Sequence, residues 1–324
     1  MSHRVGGRTR LVGLVLAVAA SLAVTAGAQG GAAAPACGDV VLNENSWTGS
    51  SANVYVAKYV LEKRLGCKVE VENITEGQPS LQAMADGKID VVLEDWDNTL
   101  TPSLTKYTKG GSVINVGPLG INGVIGWYIP RYLLKQHPEF ATWKGLKGKE
   151  SVFKSPESGS QGMFLGGDPS YVQKDRAIIK GLGLNLKHVV AGAEPAQVAR
   201  WTQLYKQKKP VLFYWYDPQA LNSVYDLVQV KLPARTKACK DDEKQGGDPK
   251  QYACAYPAYG LDKLVSKEFN TSGSRAVKFI KKFSWTAADQ NAVSYSISVD
   301  KLKPDKAAEK WVKANAKKVN AWLK

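Results

Sequence analysis

Two stretches of this chain end in large aromatic side chains set beside carboxylates. Pro210-Val-Leu-Phe-Tyr-Trp-Tyr-Asp-Pro218 begins as an apolar run and finishes with Tyr214, Trp215 and Tyr216 before an Asp-Pro turn. Asp90-Val-Val-Leu-Glu-Asp-Trp-Asp-Asn98 has the same layout and delivers Asp95, Trp96 and Asp97 to its end. Single aromatics mostly fill cores or rims. Two strands with the same ending point instead to one shared site, because open α/β sheets bind ligands at the carboxyl ends of their strands. Trp47, Trp127 and Tyr128 fall in comparable positions and join Trp96, Trp215 and Tyr216 as candidate site residues. Such a set suits a cation that cannot donate strong hydrogen bonds. A quaternary ammonium is held by ring faces, at up to ~2 kcal/mol or more per desolvated contact. The same aromatics could also stack a flat ring or a sugar.

Other chemistry is missing. His3, His137 and His188 stand apart from one another, and the chain has no nucleophile elbow, phosphate-binding loop or metal-spaced His/Cys cluster. No catalytic residue, metal or cofactor is therefore expected. Gly159-Ser-Gln-Gly162 and Gly166-Gly167 could cradle a small anion with backbone amides, but glycines of this kind more often mark ordinary turns.

The elements that position these residues alternate. A strand at Asp39–Leu42 leads through the loop Asn43–Ser51 to a helix over Ala52–Leu65 that stops at Gly66. A strand at Lys68–Val71, a short helix opened by Gln78-Pro79-Ser80 and the strand Ile89–Leu93 continue a doubly wound α/β pattern. Lys109-Gly-Gly-Ser112 breaks it, and Val113–Ile129 reads as a crossing into a second lobe. That lobe has its own helix at Tyr171–Gly181, strand at Lys187–Ala191 and helix at Ala196–Lys206 before the strand opening at Val211. The expected division is 37–117 plus 227–324 for one lobe and 118–226 for the other, with helices closing the chain.

Residues 1–28 read as a signal peptide: Arg4, Arg8 and Arg10 precede the apolar run Leu11–Ala26, and Ala26-Gly27-Ala28 offers a small-residue cleavage site. Export places the chain in the periplasm or cell envelope. Four cysteines then suggest two disulfides. Cys37 and Cys67 each precede a strand, and if those strands are parallel neighbours the two lie within bridging reach. Cys239 and Cys254 bracket the polar insert Lys240–Ala253. A lipid-anchored Cys37 is the competing reading. The net charge of +15 over 324 residues comes from scattered lysines without interleaved aromatics, so nucleic acid is not expected as a partner.

Several segments, in order, resemble the substrate-binding proteins of glycine betaine/proline/choline-type ABC transporters. They are Trp47-Thr-Gly49, Val60–Val69, Gly87–Trp96, Gly126–Pro130, Phe164–Ser170, Lys209–Pro218 and the tail Ala307–Leu323. The resemblance implies an α/β, two-lobed periplasmic binding protein-like fold of type II, hinged around a ligand cleft. It implies an aromatic box in which Trp96 and Tyr216, with Trp215 beside it, form walls, and Phe164 is the aromatic of the loop that carries another. Backbone amides near Thr48 and Gly49 would hold a ligand carboxylate, and Asp95 adds negative charge. The implied function is capture of a small-molecule ligand by a monomer that delivers it to a membrane permease. Glycine betaine stands first, choline or carnitine next. A different polar solute such as an amino-acid derivative, or an exported enzyme on a similar fold, is the alternative.

Overall fold

The structure is a computed structural model that describes residues 37–96, 102–241, 243 and 246–324. The leader and Asp97 lie outside the described residues.

The strands, in chain order, are β1 (Asp39–Asn43), β2 (Lys68–Glu72), β3 (Val91–Asp95), β4 (Val113–Pro130), β5 (Gly162–Gly166), β6 (Leu186–Val190), β7 (Leu212–Asp217), β8 (Leu227–Val230) and β9 (Ala258–Ser266). They pair in the order β2-β1-β3-β9-β4-β7-β5-β6, with β8 beside β4. At one end β1 lies parallel to both β2 and β3; at the other β5 lies parallel to both β6 and β7. These two parallel groups are the sheets of two α/β lobes, joined by the antiparallel pair β4 and β9. The long strand β4 serves both ends. Val113–Asn115 pair with Ser266–Leu264 of β9, and Val124–Tyr128 pair with Asp217–Phe213 of β7. The β4–β9 register shifts between Asn115 and Asn122, so the ladder bends where the chain crosses.

The parallel strands are built from β-branched and apolar residues because helices cover their faces. Val40, Leu42, Val91 and Leu93 are fully or almost fully buried beneath the helix Thr48–Leu65, whose Val54, Val56, Ala57, Val60 and Leu61 complete that core. The helix ends at Gly66, which takes φ 70° and donates its N–H to the Leu61 carbonyl. Both expected disulfides are present, Cys37–Cys67 and Cys239–Cys254. Cys37 and Cys67 meet because β1 and β2 are parallel and in register from Asp39 opposite Lys68.

On sequence grounds Leu227 onward belongs with the first lobe. In the structure residues 258–324 contact β3 and the helix Thr48–Leu65, as that division expects, while three segments before them meet residues in the range 118–226. Leu227–Val230 pairs with Pro130–Trp127, Pro249–Tyr252 packs on the helix Asp175–Leu182, and buried Lys174 meets Asp241 at 2.9 Å. The apolar run at Leu227 carried too little information to say which edge it would join.

Candidate ligand-binding site

The carboxyl ends of β1 and β3 on one side, and of β5 and β7 on the other, converge on a single cleft. Its walls are Trp47, Glu76, Trp96, Ile125, Tyr171, Val172, Tyr214 and Tyr216, around about 260 Å³ of empty space. That volume includes the open mouth of the cleft, and the enclosed part has room for a small solute only.

The aromatic walls stand nearly at right angles. Trp47 meets Tyr171 edge-on at 5.5 Å and 86°, Trp96 meets Tyr216 at 5.6 Å and 81°, and Tyr171 meets Tyr216 at 6.4 Å and 84°. Perpendicular rings turn several π faces toward one volume, the arrangement that receives an organic cation. The Glu76 carboxylate adds negative charge to the same wall and accepts the Trp96 backbone N–H at 3.3 Å. The Tyr171 hydroxyl is buried at the cleft with the Ser46 side chain beside it, where it can turn to donate to an oxygen of a bound solute.

Glu94 holds two of these walls. One of its oxygens accepts the indole N–H of Trp47 at 2.8 Å and that of Trp96 at 2.8 Å. The other accepts from the Gln290 amide at 2.6 Å and from the Asn53 amide. Gln290 is delivered by the helix Ala287–Ser298, whose start is set by a capping box between Thr286 and Asp289. Glycines give the rings room. A Cβ on Gly123 would stand 2.3 Å from the Trp96 ring, and one on Gly167 would stand 2.8 Å from the Tyr214 ring and 3.1 Å from the Tyr171 ring. Gly167, a candidate for cradling an anion on sequence grounds, instead makes space for two tyrosines.

The other candidates lie elsewhere. Trp215 alternates away from Tyr214 and Tyr216, packs on Trp201 at 5.2 Å and donates to the Asn222 side chain at 2.8 Å. Trp127 is buried against Phe164 at 4.6 Å and donates to Asp175 at 2.6 Å, so both Trp127 and Phe164 belong to the core. Tyr128 lies in β4 opposite Phe213, and burial pushes its hydroxyl up to about 12. Asp95 is buried in register with Asp262 of β9. Thr48 and Gly49 begin the first helix, and Thr48 reaches the wall residue Tyr216 through Glu194. The Thr48 N–H and hydroxyl both donate to Glu194, at 3.1 and 2.8 Å. The sequence search for aromatics passed over Tyr171 and Tyr214. The strand alternation that pairs Tyr214 with Tyr216 was the signal for the latter.

Burial raises Glu94 from 4.5 to about 7, against four hydrogen bonds that favour the ionised form. Burial also raises Asp175 from 3.8 to about 7 and lowers His188 from 6.5 to about 4. Between pH 7 and pH 5 the folded chain binds protons on both carboxyls that the unfolded chain does not, which stabilises it. His188 acts in the opposite sense below about 6.5, where only the unfolded imidazole is protonated. Two groups outweigh one. The thermal midpoint is expected to be higher at about pH 5.5 than at about pH 7.5, by roughly 5 °C. Calorimetric scans across that range test it, and a midpoint that falls on acidification contradicts it.

A family model described as the substrate binding domain of ABC-type glycine betaine transport system matches residues 38–314. The trimethylamine N-oxide-binding protein of Pelagibacter ubique (strain HTCC1062) is 23% identical over 313 residues, covering 94% of this chain and 96% of that protein. Among solved structures, the glycine betaine, L-proline ABC transporter binding protein (ProX) from Borrelia burgdorferi aligns with a TM-score of 0.68 at 18% identity. That alignment covers 88% of this chain and 97% of the other. Lactococcal OpuAC in its closed conformation with glycine betaine aligns at 0.66 and 22%, covering 88% and 99%. A choline binding protein in complex with choline aligns at 0.65 and 20%, covering 89% and 92%.

Proposed function

The chain belongs to the family of substrate-binding domains of ABC-type glycine betaine transport systems, and on that premise we propose that its cleft captures a small methylated-ammonium solute. It is a solute-binding component that serves a membrane permease, and not an enzyme. The observation that carries the ligand class is the box formed by Trp47, Trp96, Tyr171, Tyr214 and Tyr216, with the Glu76 carboxylate in its wall. Ring faces attract a trimethylammonium group without needing a hydrogen bond from it.

The proposal extends to the lobes and the compartment. One lobe is taken as 37–117 plus 258–324 and the other as 118–257, with β4 and β9 as the crossing strands. Trp47 and Trp96 then come from one lobe, Tyr171, Tyr214 and Tyr216 from the other, and the box is complete only when the cleft is closed. Residues 1–28 act as an export signal and place the mature chain outside the cytoplasm. No helix among the described residues is long and apolar enough to cross a membrane.

Calorimetry with choline, trimethylamine N-oxide and glycine betaine tests the class. Binding of at least one is expected, with the solute recovered unaltered. Trp96→Ala should weaken it by about tenfold or more, the loss of one cage face at ~1–2 kcal/mol. Failure of all three while an unmethylated solute binds overturns the reading.

A further inference from the structure

The first turn of the helix Thr48–Leu65 is where a carboxylate-bearing solute would be expected to place its negative end. The helix has no acidic residue in its first turn and no side-chain cap of its own. A carboxylate already stands there. Glu194, the first residue of the helix Glu194–Lys206 and only 2% exposed, accepts both the Thr48 N–H and the Thr48 hydroxyl through one oxygen. The same oxygen takes the Gln219 amide at 3.3 Å, and the other takes the hydroxyl of the cage residue Tyr216. These donors come from both sides of the cleft, 146 residues apart in the chain for Thr48. A buried carboxylate with this many partners is a built part of the site.

We propose that Glu194 is a specificity residue whose carboxylate occupies the anion position at the start of the Thr48–Leu65 helix, so that the cage selects methylated ammonium compounds carrying no carboxylate. This rests on the reading that the cleft binds methylated-ammonium solutes. A solute such as choline or trimethylamine N-oxide brings only its cationic head and a neutral or weakly basic oxygen, which the Tyr171 hydroxyl can meet. A zwitterion such as glycine betaine brings a second carboxylate to a place whose donors are already taken. Two like charges at one buried position repel, and the incoming carboxylate would be desolvated without partners.

The test is isothermal calorimetry of the full mature chain with choline, trimethylamine N-oxide and glycine betaine, for the native protein, Glu194→Gln and Glu194→Ala. The native chain is expected to bind choline or trimethylamine N-oxide at least tenfold more tightly than glycine betaine. In Glu194→Ala the vacated position should admit the betaine carboxylate, and the affinity ratio should move toward betaine by at least tenfold. Glu194→Gln, of the same shape and without the charge, should move it the same way by less. Thermal scans establish that each variant folds. A native chain that binds all three with glycine betaine tightest, or variants whose ratio does not move, overturns the proposal alone. A native chain that binds none of the three overturns the ligand class and this proposal with it.

Discussion

Glu94→Ala is expected to destabilise the protein by at least ~3 kcal/mol and to reduce affinity for the solute by about a hundredfold or more. The carboxylate is the common acceptor for the Trp47 and Trp96 indoles and for the Asn53 and Gln290 amides. Removing it leaves four donors in a region where Glu94 itself is only 2% exposed. A buried donor without a partner costs ~1–3 kcal/mol, and water entering the gap can repay only some of that. Two cage walls would lose the bond that fixes their ring planes, so the effect on binding exceeds that of losing one ring. Glu94→Gln separates charge from geometry. It keeps an oxygen for the two indoles but turns an amide toward two others, so its losses should be smaller. Chemical denaturation and calorimetry on the two variants measure both effects. Native-like affinity in a folded Glu94→Ala protein would show that the walls are held by packing alone.

The second large effect is expected from a residue with no side chain. In Gly123→Val the Cβ would overlap the Trp96 ring, three of whose carbons lie 2.3, 2.5 and 2.9 Å from that position. Real Cβ atoms do not approach so closely, so either the indole or β4 must move. An indole pushed inward removes one wall and also fills space meant for the solute, which is worse than deleting the ring. Affinity should therefore fall by about a hundredfold, about 3 kcal/mol, below even Trp96→Ala. Gly260, on the neighbouring strand β9 opposite Asn122, has nothing within 4 Å of its Cβ position. Gly260→Ala is the control and should bind as the native chain does.

These two residues show where the sequence was legible and where it was not. The strands that carry the site were readable because their apolar runs stop abruptly at acids and aromatics. Trp47, Trp96 and Tyr216 follow directly from that, the Cys37–Cys67 pair follows from the parallel alternation, and the Cys239–Cys254 pair from the polar insert it brackets. Trp215 stands beside Tyr216 in the sequence, yet the period of two along β7 sends it to the other face, where Trp201 and Asn222 hold it. Tyr171 stands three residues beyond Asp168, past the loop in which an aromatic was sought. Glu94 reads as one more acid near a tryptophan. Its role depends on Gln290, 196 residues away, and on Asn53 from a different helix, and no local pattern encodes such a meeting. Glu194 is hidden for the same reason. Leu227–Val230 could have joined either sheet, and the pairing with Pro130–Trp127 became visible only with the fold.

The bond between Cys37 and Cys67 has a practical consequence for handling the molecule. Both cysteines stand where β1 and β2 begin, whereas Trp47 follows the far end of β1 and Trp96 the far end of the parallel strand β3. The five residues of β1 at ~3.3 Å each put roughly 17 Å between the bridge and the cage. A pull on the chain ahead of Cys37 would be borne by two covalently tied strands and spread across the sheet before it reached any wall of the cleft. Fixing the protein to a chip or an electrode through that end should leave its response to solute unchanged, which makes it the place to attach a biosensor.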